Sequence, residues 1–287
     1  MNINALFDAL QVLDTHLIDF ALYADGKITE RRFTPANRCN DCYSVAKVFT
    51  LTALGLLWDE GKLDTDAALT EYFEDELSVD RADARWKQVH VEHVIRHTTG
   101  IDEGFLDIDV EDAAAYPDDD WLNLVFSHPL VHAPGSHTQY SDAAYYLLSR
   151  LCARLAGENM DALLYRRVFK PLGFSESAWS RCPLGHPIGA TGLYISARDM
   201  VKLGAVYASG GLWNGQRLLS EAWCRRVRER GYEFHEIAPG VYLKGGMYGQ
   251  GLCFSDSGNF AAAWHSFEED PPPASQPAEL LKRLLQS

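Results

Sequence analysis

Ser44-Val45-Ala46-Lys47 sets a hydroxyl and an amine three residues apart where the apolar pattern of Ser44 to Trp58 reads as a helix, so both side chains project from one face. That geometry has a chemical use. A serine hydroxyl is a poor nucleophile until a base takes its proton, and a lysine serves as that base, or tunes one, when burial and the positive end of a helix lower its pKa. A Ser-x-x-Lys spacing alone arises by chance about once in a chain of this size and equally describes a surface helix turn. Its surroundings decide the reading.

Upstream, Asn4 to Leu13 reads as a short amphipathic helix, followed by two strand-like stretches, His16 to Tyr23 and Ile28 to Phe33. The Asp25-Gly26 pair between them predicts a hairpin. Downstream, helical stretches alternate with acidic loops as far as about Phe174. The clearest helix is Ala143 to Ala156, with Gly157 placed to cap it. Ser196 followed by Asp199 resembles a capping box and opens a helix over Ala197 to Ala208. Strand character returns at Tyr248 to Phe254 and Asn259 to Phe267, flanking the turn Ser255-Asp256-Ser257-Gly258. Pro271, Pro272 and Pro273 stop any strand, and Pro277 opens a last helix, Ala278 to Gln286. Strands near both ends with helices between predict a sheet built by bringing the termini together and a helical domain inserted in it.

Composition narrows the function. The 287 residues carry 26 Lys plus Arg against 40 Asp plus Glu, a formal charge of −14, with 47% hydrophobic and 23% charged residues. Such a balance repels nucleic-acid phosphates and anionic lipid headgroups, and no local basic cluster along the chain overrides it. No apolar run approaches the roughly 20 residues that span a bilayer. Met1 to Leu13 lacks the basic start and cleavage site of a secretory signal, so the expected location is the cytoplasm and six free thiols are expected there. Cys39 and Cys42 form an isolated C-x-x-C with no second pair to complete a zinc site. His90, His93 and His97 share a helical face, but Val94 stands where a zinc hydrolase needs glutamate, so a structural role is favoured. Asp118, Asp119 and Asp120 lack the glycine and closing glutamate of a calcium loop.

Three polar landmarks follow one another along the chain: Ser44 with Lys47, then Tyr140 in Tyr140-Ser141-Asp142, then His265 in His265-Ser266-Phe267. With them stand Glu60-Gly61-Lys62-Leu63-Asp64, Arg96-His97-Thr98-Thr99-Gly100, Pro171-Leu172-Gly173-Phe174 and Gly192-Leu193-Tyr194-Ile195-Ser196. Together these resemble the penicillin-recognising serine hydrolases, specifically the branch of class C β-lactamases, D,D-peptidases and serine esterases. The motifs of that family are Ser-x-x-Lys, Tyr-x-Asn, and Lys-Thr-Gly or His-x-Gly. The resemblance implies an α+β fold of the β-lactamase/transpeptidase type: an antiparallel sheet from both chain ends, flanked by helices, with an inserted all-helical domain. The expected boundaries are 1–55 with 186–287 for the sheet domain and 56–185 for the insertion.

By the same resemblance, Ser44 is the acylated nucleophile, and Lys47 is its proton acceptor or the cation that keeps Tyr140 acidic. Tyr140 relays the proton to the leaving group. Asp142, His265, Ser266 and Glu268 are expected at the substrate, with no cofactor and no metal. The partner is a small-molecule or peptide substrate, and oligomeric state is open. Two departures stand out. Asp142 replaces the usual Asn, and a carboxylate can only accept hydrogen bonds and would hold a nearby Lys47 protonated. Phe267 replaces the third motif's glycine, and the 22 residues after His265 leave little room for the further strands such proteins carry. The leading expectation is a serine hydrolase of small esters, amides or β-lactams. The alternative is an impaired relative that binds such a ligand without turnover.

Overall fold

The computed structural model describes residues 3–13, 16–78, 82–258, 260–268 and 276–286, the last three of these by backbone alone. It divides into two compact units, Met1–Val45 with Arg167–Ala178 and Leu193–Ser287, and Ala46–Arg166 with Trp179–Gly192. These bounds differ from the sequence expectation. The chain passes from one unit to the other just after Ser44 rather than near residue 55, because the helix that follows packs with other helices of the second unit. It also returns to the sheet unit briefly at Arg167–Ala178, before the final crossing at 192/193.

The first unit is built on a six-stranded antiparallel sheet. Strands β1 (Leu17–Ala24) and β2 (Lys27–Arg32) come from the N-terminal part of the chain. Strands β3 (His235–Ala238), β4 (Val241–Gly245), β5 (Gly251–Ser255) and β6 (Phe260–Ser266) come from the C-terminal part, and the order is β2-β1-β6-β5-β4-β3. The β1–β2 turn is the expected one: Asp25 and Gly26 have φ of 51° and 74°, the left-handed pair that matches strand twist. Phe20, Leu22, Trp264, Leu243 and Val241 pack one face of the sheet against Leu6, Phe7 and Leu10 of α1 (Ile3–Gln11) and Ala278 and Leu281 of α6 (Gln276–Gln286). The other face carries Ala261 and Leu252 close against Gly204 of α4 (Ala197–Ala208), whose N-terminus Ser196 caps by accepting from Asp199 N. Another helix of this unit, α5 (Glu221–Arg230), ends at left-handed Gly231. Helices on both faces explain why β6, Phe-Ala-Ala-Ala-Trp-His-Ser, is buried along its whole length. One close approach depends on a missing side chain: a Cβ on Gly251 would lie 2.1 Å from the Trp264 ring.

Two sequence readings change here. Tyr248 to Gln250, expected as the start of a strand, instead lie in a turn over 246–250 in which Gly249 N donates to Gly246 O and Gly246 N to Gln250 O. And β6, expected to leave little room for the further strands after it, is an inner strand paired to β1 and β5; the companion strands precede it. Asn259 and Pro271 to Pro273 lie outside the described residues.

In the second unit α2 (Ala46–Asp59) packs on α3 (Asp142–Ala156). Every residue of α2 from Ala46 to Leu57 is buried, which is why its sequence is apolar all round rather than striped. Gly157 ends α3 at φ 70°, the left-handed cap read from the sequence. No helix among the described residues is long and apolar enough to cross a membrane.

Candidate active site

The turn that carries Ser44 is held from its N-terminal side. The short strand Asn40–Asp41 pairs with Ile195 and Tyr194, Cys42 N donates to Leu193 O (3.0 Å), and Asp41 Oδ1 accepts from Tyr43 N (2.8 Å). Tyr43 adopts φ 46°, a region that costs a bulky non-glycine residue about 1 kcal/mol or more. A 3₁₀ turn, Tyr43–Val45, then runs into α2, leaving Ser44 half-buried at the start of helical backbone. Backbone N–H groups at such a start have no helical partners and favour negative charge.

Lys47, on the first turn of α2, is fully buried. Its Nζ donates to Asp142 Oδ1 (2.6 Å) and Ala190 O (3.0 Å) and lies 4.7 Å from the centroid of the Tyr140 ring. Asp142 opens α3, so the residue that departs from the family pattern is the lysine's ion-pair partner. Tyr140 is 45% exposed. It leans on the His97 ring (4.5 Å), and His97 grips its neighbours: His97 O accepts from Gln139 N (2.8 Å) and Nδ1 from Ser141 N (3.3 Å). His97 has φ 56°, so the histidine read from sequence as structural is a turn residue that fixes the tyrosine segment.

Two acids went unread in the sequence. Asp107 and Asp109 bring carboxylate oxygens within 4.8 Å of each other and of Asp142, a set that could also hold a cation. Asp142 is engaged by Lys47 and Asp109 by the Thr191 hydroxyl (2.6 Å). Burial, then the negative charge of Asp142, pushes the Asp107 carboxyl above its ordinary range. An Asp-x-Asp in an already acidic stretch gave no sequence signal.

The expected third motif is not at His265. His265 is fully buried, and Asp19 Oδ1 on neighbouring β1 accepts from both its backbone N (3.1 Å) and ring Nδ1 (2.8 Å). Ser266 Oγ donates to Tyr248 O (3.1 Å), while Ser266 O accepts from Gln250 Nε2 (2.7 Å). Glu268, also buried, gives its N–H to Tyr248 O (3.0 Å). These three residues are committed to the sheet and the 246–250 turn, which corrects their assignment to substrate. The strand that packs against Tyr43–Val45 is β4. It ends at Lys244-Gly245 and Gly246 follows, giving a Lys-x-Gly sequence, and a Cβ on Gly246 would lie 3.0 Å from Cys42 O. Lys244 Nζ donates to Glu233 Oε2, a buried pair in which Glu233 has φ 57°. Two consecutive glycines after a lysine were the available signal.

All six cysteines are free, and Cys42 is buried. Burial and the Glu176 carboxylate push the Cys39 thiol up to about 11, which removes the thiolate that redox chemistry needs.

A family model, Beta-lactamase, matches residues 20–284. The chain belongs to the beta-lactamase family. Among curated relatives of this beta-lactamase-family chain, an Escherichia coli K12 protein named "Putative D-alanyl-D-alanine carboxypeptidase" is 25% identical over 230 residues, 77% of this chain and 48% of that one. The chain thus spans about half the length of that relative. Among solved structures, a "Putative 6-aminohexanoate-dimer hydrolase" from Bacillus anthracis superposes with a TM-score of 0.78 at 16% identity, over 100% of this chain and 81% of that one. A penicillin-binding protein homologue from Caulobacter crescentus gives a TM-score of 0.74 at 16% identity, over 97% and 94%. These likenesses establish the β-lactamase/transpeptidase-like α+β fold expected from the motifs.

Proposed function

We propose that this member of the beta-lactamase family is a serine hydrolase that forms an acyl-enzyme on Ser44 and acts on a small ester, amide or β-lactam. The observation that carries the reading is the buried Lys47, one helical turn after Ser44, bonded to Asp142 and set against the Tyr140 ring. Both oxygens that Lys47 contacts are acceptors, an arrangement suited to an ammonium. Its charge stabilises a phenolate on Tyr140, which takes the Ser44 proton as Oγ bonds to the substrate carbonyl carbon. Collapse of the tetrahedral intermediate breaks the bond to the leaving group, which receives that proton from Tyr140. Water then releases the acyl group by the same relay. The Ser44 N–H and a backbone N–H at the end of β4 stabilise the oxyanion, and Lys244 adds positive charge on the same strand.

The two glycines after Lys244 favour an enzyme over a binding protein, because they allow substrate to approach the strand backbone. Asp142 in place of Asn makes Tyr140, rather than Lys47, the working base. The test is the pH profile of nitrophenyl ester acylation in Asp142→Asn. A displaced acid limb is expected, and an unchanged profile would contradict the assignment of Tyr140.

A further inference from the structure

Three aromatic rings form a continuous wall in the sheet unit. Tyr43, the residue before Ser44, meets Tyr248 edge-on with centroids 5.0 Å apart, and Tyr248 stacks on Phe267 at 4.5 Å and 16°. Phe267 is 42% exposed, and Tyr43 and Tyr248 are half-buried, so the wall is open to solvent rather than sealed in the core. Its backbone is firmly set. Phe267 N donates to His16 O (3.1 Å), and Tyr248 O accepts from Ser266 Oγ and Glu268 N. Tyr43 is held at its strained φ by Asp41 and by the strand pairing behind it. Ser266 and Glu268, which looked from sequence like substrate contacts, are what fixes the middle ring.

From this geometry we infer that the wall of Tyr43, Tyr248 and Phe267 binds an aromatic group on the acyl side of the substrate. The inference rests on Ser44 being the nucleophile. The acyl group stays bonded to Ser44 Oγ through the intermediate, and the wall begins at the residue next to Ser44. Ring faces set edge-on and stacked favour a further ring in the same arrangement, which contributes beyond simple area burial. Phe267, which replaces nothing in the third motif once that motif is placed on β4, thereby acquires a use.

The experiment compares kcat/KM for nitrophenyl phenylacetate and nitrophenyl acetate, which share a leaving group. The parent should favour the phenylacetyl ester. In Phe267→Ala, and independently in Tyr248→Leu should the first variant fold poorly, the ratio of the two constants should fall about tenfold. Tyr165→Ala, which removes an aromatic 61% exposed elsewhere on the surface, should leave the ratio at the parent value. Equal use of both esters by the parent, or an unchanged ratio in both wall variants, would overturn the aromatic subsite while leaving the hydrolase reading intact. No turnover of either ester, together with no covalent adduct on Ser44, would overturn both.

Discussion

Strands β4 and β6 each place one buried basic side chain on the same face of the sheet, Lys244 in register with Leu252 and His265 two residues beyond Ala263. Their surroundings differ. His265 is locked to Asp19 in the middle of the sheet, with β1 on one side and β5 on the other. Lys244 leads into two glycines, the second of which, Gly246, comes within a methyl group's reach of the Cys42 carbonyl, beside the turn that carries Ser44. Chain order makes His265 the natural successor to Ser44 and Tyr140, whereas sheet order puts Lys244 on the strand that packs against Tyr43–Val45. The lesson is that a motif of two or three residues is defined by the strand that meets the nucleophile, and strand adjacency is a property of the sheet.

Three variants or conditions would break or sharpen this contrast. The largest effect is expected at β4: Lys244→Met should lower kcat/KM for a nitrophenyl ester by about 10²-fold or more, the scale of losing one charge-stabilising group at an oxyanion. Loss comparable to that of a surface lysine would remove Lys244 from the site. At β6, His265→Ala should act on stability, by about 2–3 kcal/mol in denaturant unfolding, since the Asp19 carboxylate loses a hydrogen-bond partner in a buried setting. Activity per folded molecule should remain within a few-fold of the parent, and a collapse of activity without destabilisation would restore His265 to the site.

The smallest effect is in pH dependence. Partial desolvation holds His93, His128, His186 and, although its surface is exposed, His235 below the ordinary histidine range, and for His235 the Lys244 charge adds to it. The unfolded chain therefore binds protons more readily than the folded one. The resulting stability is fully present above the unfolded histidine pKa of about 6.5 and is lost as pH falls below it. The melting temperature should drop between pH 7 and pH 5, and in Lys244→Met that drop should be shallower. A steeper drop in the variant would contradict the coupling of His235 to β4.

Much of the fold was legible because local chemistry and tertiary use agree. Asp25-Gly26 forms the turn its φ preferences demand, Gly157 caps α3, and Ser196 caps α4. The positions of Ser44, Lys47, Tyr140 and Asp142 were legible, though not their roles, because each sits at or beside a helix start, where sequence spacing fixes position. Strand β4 was missed because five residues, Val241–Gly245, flanked by Gly240 and Gly246, carry too little alternation to separate them from a glycine-rich loop. Asp107 and Asp109 were missed for the opposite reason, since acidic residues abound in that stretch and only folding selects which ones gather at Asp142. Phe267 was read as a damaged glycine position because its ring partner, Tyr248, is hidden in a turn, and the ring beyond it, Tyr43, is far away along the chain.

The central claim is that Ser44 is the acylated residue. Intact-mass measurement of the parent and of Ser44→Ala after exposure to a fluorophosphonate tests it directly. A single adduct on the parent, mapped to the peptide containing Ser44 and missing in Ser44→Ala, is the expected result. No adduct on the parent, or the same adduct on both proteins, would contradict the account.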